Sequence, residues 1–516
     1  MVRPCGGACG RAPFCGEARA KGGGGIKGRR ISFAIAVLAL AAFVAPGPFS
    51  RALTALSTWY LQIFDGWTLF LASACLLFCA GLALTPLGRL KLGGENRQPE
   101  FGLLTWGGMM FAAGMGAGLV FWGAAEPLIH TVNPPPGEGL QPLSPEARRY
   151  GLALTQFHWG LHAWAIYGVA AVAIGLASAA HGSLMPSAPF GAMPRVARRA
   201  IDLIALVAVL FGLVASLGQG VFQMGAGLSV IGVGAEDPSA PRQLLLLFGI
   251  AVAYLASAIL GLRRGIAVLS NVNIALALAL AVFLLIAAPT SPVGRSLTES
   301  AVHYIGRFAE FSLTLREEGP ARDWTRDWSL TYLLWWVAWT PFVGVFLARI
   351  SRGRSVRSFI TMAVLVPSLV TLLWFSVLGG AAIGLAEAHV DLGVDNFDTA
   401  PQATYALLGQ LPFALPSSVL TLILVAIFLV TSADSGAYVL AMLSSTDESP
   451  GVGARLFWGV VLTILTGAAI LSEGGQNVTR AMAVAGALPM TFLLAGQAGA
   501  TLWRYRPDRW RDLGGS

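Results

Sequence analysis

Charged residues are scarce in this chain of 516 residues: Asp, Glu, Lys and Arg make up 12%, about half of their share in a soluble globular protein. That leaves too little polar surface for a soluble particle of this size. A hydrophobic content of 55% and a mean hydropathy of +0.69 describe instead a chain that crosses a membrane many times. Cysteine is also rare. Cys5, Cys9 and Cys15 fall near the start and Cys75 and Cys79 in an apolar run, which gives no disulfide framework. No histidine or fourth cysteine completes a zinc set with the first three. The net charge of +8 does not indicate a nucleic-acid partner, because the basic residues lie in separated clusters between apolar runs. No nucleophile, base or metal set recurs at one depth, as an embedded enzyme needs, and no ring of filter residues, as a channel needs.

What the sequence has is long apolar runs. Twelve spans are expected, at about 31–50, 67–87, 101–129, 147–177, 199–230, 243–262, 266–288, 329–349, 358–386, 415–444, 454–471 and 478–504. The run starting at Ile31 sits too deep and lacks a small-residue cleavage site, so it reads as a membrane helix rather than a removed signal. Counting crossings puts most of the 34 Lys and Arg on the side that holds both termini, which the positive-inside rule makes cytoplasmic. The Asp391, Asp395 and Asp398 segment, without Lys or Arg, then lies outside. The expected fold is an all-α polytopic membrane protein. Residues 1–30 form a disordered basic cytoplasmic tail, 31–504 the transmembrane domain, and 505–516 a short cytoplasmic tail. Arg295 to Leu315 reads as an interfacial amphipathic helix, with Val302, Ile305, Phe308 and Phe311 at helical spacing, and residues 395–412 as a second.

Four stretches carry chemistry. In span eight, Trp335, Trp336 and Trp339 fall within an arc of roughly 100°. They lie well before Arg349, Arg352, Arg354 and Arg357, so they sit too deep for an interfacial belt. The cluster is either bundle packing or a binding surface, and indole faces suit a cation without N–H groups. Pro341 and Gly344 mark a place where that helix can loosen. In span three the run Gly114-Met115-Gly116-Ala117-Gly118 reads either as close helix packing or as an unwound segment, the latter being favoured by its density of glycine. Glu126 before Pro127 reads as an ionisable group near a helix end.

Span four places Trp159, Trp164 and Tyr167 within roughly 140° of arc. His158 and His162, one turn apart, lack a third metal ligand there. In span ten, Thr431 and Ser432 offer hydroxyls either to their own helix or to a small cation, and Asp434 is an ionisable group at membrane depth.

Taken together, the stretches at 114–128, 158–167, 335–354 and 431–436 resemble the betaine/carnitine/choline transporter family. The resemblance implies secondary active, sodium-coupled uptake of glycine betaine or a related quaternary ammonium or sulfonium compound. It implies two inverted five-helix repeats, as in leucine-transporter-like folds, after two extra N-terminal helices. A homotrimer in the lipid bilayer of the cell inner membrane follows from the same resemblance. Trp159, Trp164, Tyr167, Trp335, Trp336, Trp339 and Met115 would bind substrate. Carbonyls of Ala112, Met115 and Phe428 with the hydroxyls of Thr431 and Ser432 would bind sodium, and no other cofactor is implied. Gly118 stands where proton-coupled choline carriers tend to have Asp, which favours sodium coupling. Val209 and Leu213 replace the threonines of a second sodium site, with Ser216 as the nearby hydroxyl. The segment after Trp503 is short, so uptake without strong osmotic activation is expected. The alternatives are a proton-coupled or sodium-independent choline or carnitine carrier, and a transporter-like sensor.

Overall fold

The computed structural model describes residues 24–506 except 115, 234–238, 261–262, 289 and 446–448. The expected N-terminal tail before residue 24, the C-terminal residues after 506 and Met115 therefore lie outside the described residues. Apart from one antiparallel bridge between Lys91 and Ser355, the described residues form only helices and their connections.

In chain order these are α1 (Gly24–Val44), α2 (Pro46–Leu84), α3 (Leu103–Gly114), α4 (Ala117–Val132), α5 (Pro145–Trp159), α6 (Leu161–His181) and α7 (Arg195–Val230). There follow α8 (Ala240–Leu260), α9 (Arg263–Ala287), α10 (Thr290–Gly306), α11 (Phe308–Leu313), α12 (Pro320–Thr325) and α13 (Thr331–Ile350). The chain closes with α14 (Val356–Ile360), α15 (Val366–Glu387), α16 (Ala403–Gly409), α17 (Ala414–Ser445), α18 (Val452–Leu471) and α19 (Gly475–Arg504). Among the described residues, ten helical segments are long and apolar enough to cross a membrane. The other two expected spans appear as shorter pieces, the apolar part of α1 and the interrupted pair α3 and α4.

The centre of the bundle is built by α6, α7, α13, α17 and α19, which pack along one another. Their facing side chains are buried, including Val337, Val343, Val214, Leu429 and Met482. Outer helices turn large apolar side chains outward, such as Leu245 and Phe248 on α8 and Leu278 and Ile286 on α9. In water such a surface would aggregate; facing lipid it costs nothing.

Two breaks depart from regular crossings. The expected third span is interrupted between Gly114 and Ala117. A Cβ on Gly114 would stand 2.5 Å from the Trp164 ring, so only glycine lets the chain pass there. The expected single fourth span is instead two helices meeting at Gly160, where a Cβ would lie 2.4 Å from the Gln156 carbonyl oxygen. The sequence reading missed this break, because an isolated glycine inside an apolar run is usually carried within a helix. Ser144 caps the start of α5 by accepting from the Ala147 N–H at 3.1 Å.

Pro341 and Gly344 do not loosen α13, which runs unbroken through both. The irregular turn lies earlier, in a π-helical segment at Arg326–Leu330. The expected outer amphipathic helix is divided into α10 and α11, with Val302 and Ile305 exposed and Phe311 buried. The second is the short helix α16 after a 3-10 turn at Ala400–Gln402.

On one side of the bundle, buried Asp65 on α2 accepts from Arg322 Nε at 2.8 Å and Arg326 Nε at 2.9 Å. Glu318 completes that network by accepting from Arg326 Nη2 at 2.9 Å. Arg148 on α5 reaches Glu299 on α10 at 2.8 Å and also pairs with Glu387 at the end of α15. These ionic ties join α2 to the segment that leads into α13, and α5 to α10 and α15.

Candidate functional site

A cavity lies where the α3–α4 break meets α5, α6, α7, α13 and α17. Trp336 of α13 is the centre of its aromatic wall. Its ring meets Trp159 at 5.5 Å between centroids, nearly perpendicular at 84°, and Tyr167 at 5.1 Å and 61°. Trp335 and Trp339 line the same cavity, and Leu213 and Ser216 on α7 face them. Ser216 accepts a 3.4 Å hydrogen bond from the Trp335 indole N–H.

Trp164, expected in the cage, does not line the cavity. It is fully buried one layer behind, 5.9 Å from Trp336, 6.0 Å from Tyr167 and 6.3 Å from Phe111 between ring centroids. The break at Gly160 lies between Trp159 and Trp164, so the helical-wheel arc does not apply to the pair. Met115 falls outside the described residues, and of Ala112 only its place in α3 is described.

The two hydroxyls of α17 are not equivalent. Thr431 donates to its own helix carbonyls, Ile427 at 2.8 Å and Phe428 at 3.1 Å. Ser432 lines the cavity beside Gly116, where an added Cβ would stand 3.5 Å from its Oγ. Asp434 is buried below them and pairs with Arg455 of α18 at 3.3 Å. That pairing gives Asp434 a structural partner outside the cavity wall.

Three site residues escaped the sequence reading. Tyr332 and Trp122 line the cavity, with their rings 5.4 Å apart. Tyr332 stands four residues before Trp336 on the same face, a spacing that could have found it. The third is Glu126, marked in the sequence only as an ionisable group near a helix end and not as a site residue; it does not close that end. It sits inside α4, fully buried, and its Oε2 accepts from the Trp159 indole N–H at 2.6 Å. Its Oε1 pairs with His158 Nδ1 at 2.6 Å, and His158 Nε2 with Ser329 Oγ at 2.8 Å.

One ligand atom each of Glu126, His130 and His158 lies within 4.8 Å of the others. At 2.6 Å the His158 nitrogen and the carboxylate oxygen are hydrogen-bonded, closer than two ligands of one tetrahedral ion stand. Glu126, His158, Trp159 and Ser329 form a hydrogen-bonded hub of the cage, with His130 Nε2 3.7 Å from the same carboxylate oxygen. His162 is not part of it; its Nε2 lies 3.1 Å from Ser312 Oγ, between Phe157 and Phe308.

The first turn of α4 is held from the opposite side by α15 and α16. Trp374 donates to the Leu119 carbonyl at 2.8 Å and Thr404 to the Val120 carbonyl at 2.9 Å. The cage is therefore set on a broken helix whose free ends are tied to several neighbours. A glycine-broken helix facing an aromatic cavity at membrane depth is the architecture of a carrier site.

Comparison with known proteins agrees with that reading, since residues 31–508 match the model of the betaine/carnitine/choline family transporters. The chain belongs to this family. It is similar to the glycine betaine transporter OpuD of Bacillus subtilis, 38% identical over 449 residues covering 83% of this chain and 84% of the relative. Glycine betaine transporter 1 of Vibrio parahaemolyticus is 33% identical over 492 residues, 92% of each chain. The betaine/ectoine transporter LcoP of Corynebacterium glutamicum is 34% identical over 423 residues, covering 79% of this chain and 66% of that relative. The chain is thus a membrane transporter and not an enzyme.

Proposed function

We propose that this betaine/carnitine/choline family transporter carries glycine betaine or a closely related methylated onium zwitterion into the cell, coupled to sodium, by alternating access. The observation that carries this reading is the cage itself. Trp159, Tyr167 and Trp336 turn toward one another inside a cavity whose described lining residues include no charged side chain. A trimethylammonium or dimethylsulfonium group has no N–H to donate, so π faces are its natural contact. A net-neutral ligand enters such a lining without leaving an unpaired charge behind. The names of the relatives support betaine as the first substrate to test.

Sodium is the second substrate in this reading. The Ser432 hydroxyl beside Gly116, the Phe428 carbonyl, and carbonyls of Ala112 and Met115 at the helix break are neutral oxygen donors, which suit a small hard cation. Thr431 would join them only by releasing its bonds to its own helix. The same proposal places the protein in the cell membrane as a homotrimer with both termini cytoplasmic. Its twelve crossings would be arranged as two inverted five-helix repeats after two extra helices.

Uptake of radiolabelled glycine betaine into proteoliposomes, with and without an inward sodium gradient, tests the reading. Accumulation that needs the gradient is the expected result. Uptake indifferent to sodium would overturn the coupling and leave a sodium-independent or proton-coupled carrier.

A further inference from the structure

On the cavity's α7 side, the chain carries two glutamines one turn apart on the same helix face. Gln219 lines the cavity, is 3% exposed and leaves its Nε2 without a hydrogen-bond partner. Gln223 is fully buried with neither amide atom bonded. A buried amide left unsatisfied costs on the order of 1 to 3 kcal/mol, so the one that lines the cavity, Gln219, calls for a role there.

The aromatic rings satisfy only one end of a zwitterionic ligand. Its carboxylate needs hydrogen-bond donors. An arginine or lysine would supply them, but its fixed charge would repel the onium group and any sodium sharing the cavity. A carboxamide donates without carrying charge, and its terminal torsion is soft enough to turn the N–H toward a ligand. Ser216, beside Gln219 on α7, accepts from Trp335 and keeps its own O–H, so the unbonded Gln219 amide adds a second neutral donor on that wall.

We propose that Gln219 reads the anionic end of the substrate, donating its carboxamide N–H to the carboxylate of a betaine whose onium group lies in the Trp159–Tyr167–Trp336 cage. This rests on the betaine reading above and adds a specificity-determining residue to it. Gln219 then separates betaines from choline, which carries the same trimethylammonium group with a hydroxyl in place of the carboxylate.

The test is uptake of radiolabelled glycine betaine, with competition by unlabelled choline, in proteoliposomes of the parent, Gln219→Leu and Gln219→Glu. Thermal unfolding midpoints verify that each variant is folded. Gln219→Leu is expected to raise the KM for betaine about tenfold, near 1.4 kcal/mol, with Vmax within about threefold and choline competition within about twofold. Gln219→Glu is expected to raise the betaine KM further and to strengthen choline competition, since it sets a carboxylate against a carboxylate.

An unchanged betaine KM in Gln219→Leu overturns the assignment, as does an equal loss for betaine and choline, which would make Gln219 a packing residue. Failure of the underlying reading shows differently. The parent itself would then take up no betaine, and the inference falls with it.

Discussion

The indole N–H of Trp159 donates to Oε2 of Glu126 at 2.6 Å, while the face of the same indole borders the cavity. A carboxylate pulling on the N–H makes the ring more electron-rich, and the bond also fixes the ring angle that meets Trp336. Glu126 therefore acts on substrate through Trp159, as a positioning residue. Replacing it by Gln keeps its volume but removes its charge, and hydrogen bonds to charged groups contribute about 1.5 to 3 kcal/mol. Glu126→Gln is expected to raise the substrate KM by about tenfold or more with a smaller change in Vmax. A shift in tryptophan emission should accompany it, and an unchanged KM would remove Glu126 from the site.

Trp159 and Trp164 should respond differently to truncation, although both come from the same short motif. Trp159→Ala removes one face of the cage and is expected to cost about 0.5 to 2 kcal/mol in binding, read as a raised Kd by isothermal titration. Trp164 is fully buried between Trp336 and Phe111. Its truncation opens a core void worth about 3 to 5 kcal/mol, so Trp164→Ala should fail as a drop in Tm and yield. A well-folded Trp164→Ala protein with weakened binding alone would return Trp164 to the cage.

Much of this site was legible in the sequence, and what was not has physical causes. Trp335, Trp336 and Trp339 lie on one unbroken helix, so helical angles bring them to one wall of the cavity. The same angles do not carry from Trp159 to Trp164, because the helix stops at Gly160 and the phase of the wheel is lost there. Density of glycine at 114–118 announced the first break, whereas a lone Gly160 did not announce the second. Glu126, Ser329 and His158 come from three separate elements, and nothing in their spacing along the chain brings them together. Gln219 stayed hidden because burial without a partner is a property of the fold, not of the pattern.

The ion network around Asp65 predicts a mechanical effect separate from binding. Asp65 joins α2 to Arg322 and Arg326, just before Trp328 and Ser329 of the π-helical turn. Asp65→Asn leaves Arg326 its bonds to Glu318 and Asp323, so the expected loss is about 1 to 3 kcal/mol rather than unfolding. It should appear as a lower Tm in detergent, with the substrate Kd within about threefold, corresponding to less than about 0.7 kcal/mol. A large change in Kd without a change in Tm would contradict the structural role.

The sodium proposal makes the sharpest distinction between neighbours. Thr431 and Ser432 are adjacent in sequence, yet Thr431 is bonded to the Ile427 and Phe428 carbonyls whereas Ser432 lines the cavity beside Gly116. If Ser432 holds the ion, removing its hydroxyl deletes a ligand directly. Removing that of Thr431 first frees two carbonyls and deletes a bond of about 0.5 to 1.5 kcal/mol. Initial uptake rates measured against sodium concentration should show a half-saturating sodium level raised about tenfold in Ser432→Ala and by about threefold or less in Thr431→Ala. Equal shifts in the two variants would mean that Thr431 gives up its helix bonds when sodium enters, and that both hydroxyls hold the ion. No shift in either would move the coupling ion away from α17.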